Sequence, residues 1–173
     1  MSELFSIQLQ NRQQQGRDGV WLDLPTTTEQ VQAALRQIGI SSDNPQGLFI
    51  SGYFAEEEKR FAIPYNIVLA SNVDELNFLA ARLETLSAGE RAELNAALQA
   101  PQSELFSIGR ITDFPENVDY YVHLPDVHGP AQLGDYYLNR SGMVDMPEEW
   151  KGGIDTAQFG RYVAQQEQGA FTQ

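Results

Sequence analysis

The stretch FSIQLQNRQQQGRDGVWLDLPTTTEQVQAALRQIG (residues 5–39) changes period partway along, and that change decides the fold class. Phe5, Ile7 and Leu9 alternate with Ser6, Gln8 and Gln10, the two-residue period of a strand with one buried face. Asn11 to Asp18 is a polar, glutamine-rich loop containing Gly16, and Val20-Trp21-Leu22-Asp23-Leu24 is a second short strand ended by Pro25. Thr26-Thr27-Thr28-Glu29 then has the form of a capping box, with Thr26 as N-cap and Glu29 reaching back to it. Val31, Ala34, Leu35 and Ile38 recur at helical spacing, and Gly39 supplies the stop. With a third strand expected from Gly47 to Phe54, residues 1–62 read as a small α+β unit.

Outward from this unit the period becomes helical. Residues 63–100 carry caps at Ser71-Asn72-Val73-Asp74 and Ser87-Ala88-Gly89-Glu90, and an apolar stripe of Val73, Leu76, Leu79, Ala80, Leu83 and Leu86. A second stripe, Leu94, Ala97 and Leu98, runs up to Pro101. Two helices joined so tightly predict an antiparallel hairpin. Residues 101–173 mix types: a short helix over 103–110, a strand over 119–124, a helix from Pro130 to Ser141, a helix capped by Asp155, and a closing strand over 169–171. The fold class expected is α+β, in three lobes: 1–62 α+β, 63–100 helical, 101–173 α+β.

The composition narrows the function classes. The 173 residues hold 24 acids against 11 bases, a net charge of −13. Residues 1–61 carry eight acids and five bases, 62–100 five and two, and 101–173 eleven and four. The longest basic run is Lys59-Arg60, so direct nucleic-acid binding is not expected. There is no cysteine, which excludes disulfides and thiolate metal sites and fits a reducing compartment. With no membrane-length apolar run and no signal pattern in MSELFSIQLQ, the expectation is a cytoplasmic protein without a membrane partner.

Motifs for catalysis are missing from the sequence. There is no G-x-S-x-G elbow, no GxxxxGK[ST] and no GxGxxG. His123 and His128 have no third ligand at matching spacing. The pairs within Glu56-Glu57-Glu58 and Glu148-Glu149 are adjacent and point apart, so a two-carboxylate hydrolase is a weak reading of Glu148 or Glu149. Neither a catalytic activity nor a cofactor is expected. The remaining signal is scattered surface charge, which suits a basic partner, as for an acidic adaptor.

The order of motifs resembles the ArdA antirestriction family. FSIQLQNRQQQGRDGVWLDLP followed by TTTEQVQAALRQIGI, the acidic helical middle VDELNFLAARLETLSAGERAELNAAL, LGDYYLNRSGMVDMPEEW and GIDTAQFGRYV with a closing GAFT carry the resemblance. It implies an elongated, homodimeric mimic of B-form DNA, three lobes in a row, that occupies the DNA-binding groove of type I restriction–modification enzymes at their methyltransferase core and shields incoming mobile DNA. It also implies that Leu133 to Gly142 matches the antirestriction motif near the dimer interface, with Leu133, Asp135, Tyr136, Tyr137 and Leu138 as interface residues. From the sequence, Leu133, Tyr136, Tyr137 and Leu138 nearly encircle one short helix, more apolar surface than a small lobe readily covers. The partner-binding carboxylates expected are Glu56, Glu57, Glu58, Asp113, Glu116, Asp119, Asp126, Asp145, Glu148 and Glu149.

Overall fold

The computed structural model describes residues 3–14, 16, 18–100, 103–117 and 121–172. Its backbone contacts divide into two compact units, Met1–Leu98 with Glu104–Tyr120, and Gln99–Ser103 with Tyr121–Gln173. The fold is α+β, and the N-terminal sheet shares its unit with the central helices.

In the first unit, β1 (Phe5–Asn11), β2 (Val20–Leu24) and β3 (Leu48–Phe54) form an antiparallel sheet of order β2-β1-β3. Gln8 lies between Trp21 and Gly52, and Ser6 between Asp23 and Phe54, with a bulge at Gln8/Leu9. Phe5, Ile7, Leu9, Leu22 and Leu24 fill the inner face, as the two-residue period requires. The helix after β2, α1 (Thr28–Gln37), is capped one residue later than expected: Thr27, not Thr26, is the N-cap, and Gln30, not Glu29, closes the box. The reason is tertiary. The Thr26 N–H donates to Asn77 Oδ1 (2.7 Å) and the Asn77 amide donates back to the Thr26 carbonyl (3.0 Å), leaving the next threonine to cap. Gly39 ends α1 at φ +71°.

Asn11, at the end of β1, is buried, and its amide donates to the carbonyls of Ile38 (3.0 Å) and Gly39 (3.4 Å) while its Oδ1 accepts from the Gln13 N–H (3.0 Å). It satisfies the last turn of α1 from inside the core. Asn11→Ala should therefore cost about 1–3 kcal/mol, since buried carbonyls lose their donor. Urea unfolding checks this; a loss under about 0.5 kcal/mol would refute the role.

The helical part is α2 (Tyr65–Leu69), α3 (Val73–Glu84), α4 (Ala88–Gln99) and α5 (Ile108–Thr112). Asn72 caps α3 through the Glu75 N–H (2.9 Å), and Ser87 and Glu90 form the expected reciprocal box on α4. The helix expected over 103–110 begins instead at Ile108, where Ser107 caps it. The antiparallel hairpin expected of α3 with α4 is not a close-packed pair: α3 packs on β2 and α5, and its backbone approach to α4 is slight. Ile108 and Ile111, both buried, belong to the helix that α3 faces. The second helix is tied to the end of α3 by Arg91, which donates to the Leu83 and Leu86 carbonyls (3.2 and 3.3 Å) and stacks over Phe61, and to the preceding segment by Asn95 Oδ1 accepting from the Ala62 N–H (2.8 Å).

Glu90 is fully exposed, yet hydrogen bonds from Ser87 hold its carboxyl below the usual glutamate range. A depressed carboxylate contributes stability above its unfolded pKa and loses it as pH falls through the folded one. Protection of the amides in the first turn of α4, taken relative to the intrinsic exchange rate at each pH, should accordingly fall on acidification below the usual glutamate range. Glu90→Gln should remove that dependence, and an unchanged pH profile in the variant would contradict it.

The second unit contains α6 (Pro130–Asp135), which runs on as a π-turn over Tyr136–Arg140, then α7 (Glu148–Lys151) and α8 (Thr156–Gln166). The π-turn closes with the Ser141 N–H donating to the Tyr136 carbonyl five residues back (2.8 Å), and Gly142 follows at φ +71°. Asp155 caps α8 through the Gln158 N–H (3.0 Å). The strands expected over 119–124 and 169–171 require correction. Residues 119 and 120 lie outside the described residues, and 121–124 and 169–171 form no ladder. At both places the backbone is used locally instead: the Leu124 carbonyl accepts from Val127 (3.0 Å), and the Gly169 N–H closes the end of α8 on the Ala164 carbonyl (2.8 Å). Among the described residues this part of the chain is helical rather than α+β.

The two main helices of this unit, α6 and α8, meet backbone to backbone. A Cβ on Gly160 would overlap the Pro130 carbonyl oxygen and lie 2.8 Å from the Gly134 nitrogen, and one on Gly134 would overlap the Thr156 carbonyl. Leu133, Leu138 and Val163 are buried in the same unit.

Candidate functional site

Burying a carboxylate costs more than its interactions usually return, so acids not needed inside remain outside. Of the 23 described acidic residues, 20 are exposed and three, Glu84, Glu93 and Asp135, are half-buried. The candidate carboxylates follow this pattern. Glu56 precedes the 3-10 turn Glu57–Lys59 and pairs with Lys59 (3.0 Å), while Glu57 and Glu58 stand exposed. Asp113 and Glu116 flank a second 3-10 turn, Phe114–Glu116, where Glu116 accepts from Arg82 (2.8 Å). Asp119 lies outside the described residues. In the second unit Asp126 and Asp145 are exposed in irregular segments, and Glu148 and Glu149 open α7, Glu148 paired with Lys151 (2.6 Å).

Several of the described cations are held close. Arg110 stacks over Phe106 at 4.6 Å and pairs with Glu104 (3.1 Å), and Arg140 stacks over Tyr136 at 5.5 Å and pairs with Asp135 (3.6 Å). Arg12 and Arg91 lie over Phe49 and Phe61. Such pairs contribute little to stability at an exposed surface, but they occupy positive groups that would otherwise face a basic partner.

The five motif residues separate into two kinds. Leu133 and Leu138 are buried within their own unit, which removes them from the exposed apolar girdle read in the sequence. Tyr136 and Tyr137 are half-buried and meet edge to face at 5.6 Å, and Asp135 accepts from the Asn139 amide (2.8 Å). Burial, then the neighbouring charge of Glu167, raises the Tyr137 phenol above its ordinary range.

Sequence reasoning passed over the outer face of the sheet. Trp21 is 50% exposed and Phe54 56%, both opposite the inward set of Leu22, Leu24 and Ile7. The signal was present: Trp21 is out of phase with Leu22 and Leu24 in a two-residue period. The glycine pair of α6 and α8 was likewise within quoted motifs but unassigned.

Among the described residues no three His, Asp or Glu side chains gather as a metal site, and no helix is long and apolar enough to cross a membrane. The recess lined by Gln10, Asn11, Gln14, Asp18 and Gln37 has a volume of about 110 Å³, below the several hundred Å³ of ordinary ligand pockets. A family model described as antirestriction protein (ArdA) matches residues 15–173. No curated protein matches the chain.

Proposed function

We propose, since the chain belongs to the ArdA family of antirestriction proteins, that it inhibits a type I restriction–modification enzyme by occupying its DNA-binding groove as a mimic of B-form DNA. The observation that carries this reading is the carboxylate surface: 20 of 23 described acids are exposed, none is buried, and the net charge is −13. Duplex DNA presents one charge per about 1.7 Å of axis to such a groove. Exposed carboxylates engage the same Arg and Lys side chains, releasing counterions from both partners, so affinity falls as salt rises. No base edge is copied, hence target-sequence preference plays no part.

The partner is the methyltransferase core, the setting is the cytoplasm, and the beneficiary is incoming mobile DNA. The chain acts as a homodimer, its interface running over Tyr136, Tyr137 and Asp135 with Leu133 and Leu138 buried in the same unit. Light scattering in moderate salt should give twice the 19.4 kDa chain mass; a 19.4 kDa species alone would remove the dimer.

The decisive experiment is competition against labelled duplex DNA for a purified type I methyltransferase core over a salt series. Mutual exclusion with a steep loss of affinity in salt supports the reading. Binding indifferent to DNA would overturn it in favour of an acidic adaptor for another basic protein.

A further inference from the structure

We infer that the outer face of the β2-β1-β3 sheet is an aromatic platform that stacks arginine side chains of a basic protein partner. Trp21 and Phe54 lie on the same side, because their partners on β1, Gln8 and Ser6, are two residues apart and share one face. Trp21 reaches across β1: the nearest atom to a Cβ built on Gly52 is in the far edge of its ring, at 3.0 Å, with Gln8 next at 3.1 Å. The indole therefore lies over the sheet, with Gly52 leaving room for it. The bulged strand opposite brings Ser51, whose hydroxyl donates to Gln8 Oε1 (3.0 Å), and Tyr65, 51% exposed, donates to the Ser51 carbonyl (3.4 Å). Two aromatic rings on one strand face, with a third at its edge, form more exposed aromatic surface than a solvated sheet ordinarily carries.

Charge names the occupant. On the same face, Asp23 is held by the Ser6 hydroxyl (2.6 Å), and Phe54 is followed by Ala55 and the acids Glu56, Glu57 and Glu58. Rings bordered by carboxylates suit a planar cation. Guanidinium stacks on an aromatic face while its N–H groups reach a carboxylate, whereas the ammonium of lysine, strongly hydrated and compact, uses such a site less well. An apolar partner would leave Asp23 desolvated, and a nucleic acid would meet like charge. The platform rests on the reading of a basic partner given above, but it differs in kind. Carboxylates supply salt-dependent attraction, and the rings supply a contribution that salt barely screens.

The test uses the full chain carrying Trp150→Phe, so that indole emission reports Trp21 alone, with octa-arginine and octa-lysine as probes of equal charge. The expected result is a shift of Trp21 emission with octa-arginine and about fivefold tighter binding of it than of octa-lysine, consistent with an exposed cation–π contact. Trp21→Leu and Phe54→Leu, which keep the face apolar and are read by calorimetry, should each bring the two peptides to within about twofold of each other. Equal affinity of the starting protein for both peptides would overturn the platform, as would an arginine preference that survives both leucine variants. Towards the methyltransferase core the same variants should lose affinity equally at every salt concentration, leaving the slope unchanged. A core that does not bind the unaltered chain removes the proposed target, while the peptide comparison still decides the platform.

Discussion

Gly160→Ala is expected to unfold the α6–α8 unit. At an open helical position the same change would stabilise, since alanine exceeds glycine in helix propensity by about 1 kcal/mol. Here the added methyl would coincide with the Pro130 carbonyl oxygen and press on the Gly134 backbone nitrogen. Both are main-chain atoms with no rotamer to yield, so relief requires the helices to separate. Overpacking in a good core costs about 1–3 kcal/mol, and a clash with rigid backbone on the largest helix contact of this unit belongs at or beyond the upper end. Gly134→Ala meets the Thr156 carbonyl and should behave alike. Gly109→Ala is the control: it lies in α5 with nothing within 4 Å of the added carbon, and should stabilise slightly. Hydrogen exchange reads the outcome by segment, with protection lost from α6 and α8 and retained in β1 and β3. Native protection of α6 and α8 in either variant would show that these helices do not cross at the glycines.

That crossing also shows where sequence reading stops. The first strand of the N-terminal sheet was legible because one buried face imposes a period of two on Phe5, Ile7 and Leu9, whereas 121–124 and 169–171, read as strands, form no ladder. The caps at Asn72, Ser87 and Asp155 were legible because a helix end needs a local oxygen acceptor. The cap of α1 slipped by one residue because three threonines in a row offer equivalent acceptors and Asn77, some fifty residues away, engages the first. The partner of α3 was illegible for a related reason: an apolar stripe states that something covers it, not what. Gly134 and Gly160 carry no side chain from which a contact can be read, and only the fold shows their backbones touching. At the candidate site, the acidity and its exposure followed from composition and desolvation. The aromatic face was available from the phase of Trp21 but is obscured by the usual expectation that tryptophan is inside.

Removing carboxylates in groups is expected to produce the largest loss of binding. An exposed ion pair contributes about 0.2–1 kcal/mol, so Glu57→Gln or Glu58→Gln alone should weaken inhibition less than tenfold. Solvated neighbours that each meet a separate cation combine nearly additively. Glu56, Glu57 and Glu58 changed together should then cost about three- to a hundredfold and lower the salt slope by roughly three. The same logic applies to Asp113, Glu116, Asp119 and Asp126 as a set. The internal pairs create a distinction within these groups. Glu116 holds Arg82 and Glu56 holds Lys59. Their amide variants both remove a negative charge and release a cation towards a basic groove. Glu116→Gln should thus cost more than Glu57→Gln, and Arg82→Gln combined with Glu116→Gln should recover part of the loss. Measured by competition with duplex DNA for the methyltransferase core, a graded loss with a flattening slope fits charge spread over many positions. One amide substitution that abolished binding while the dimer persisted would instead mean a discrete site, and distributed mimicry of a duplex would have to be abandoned.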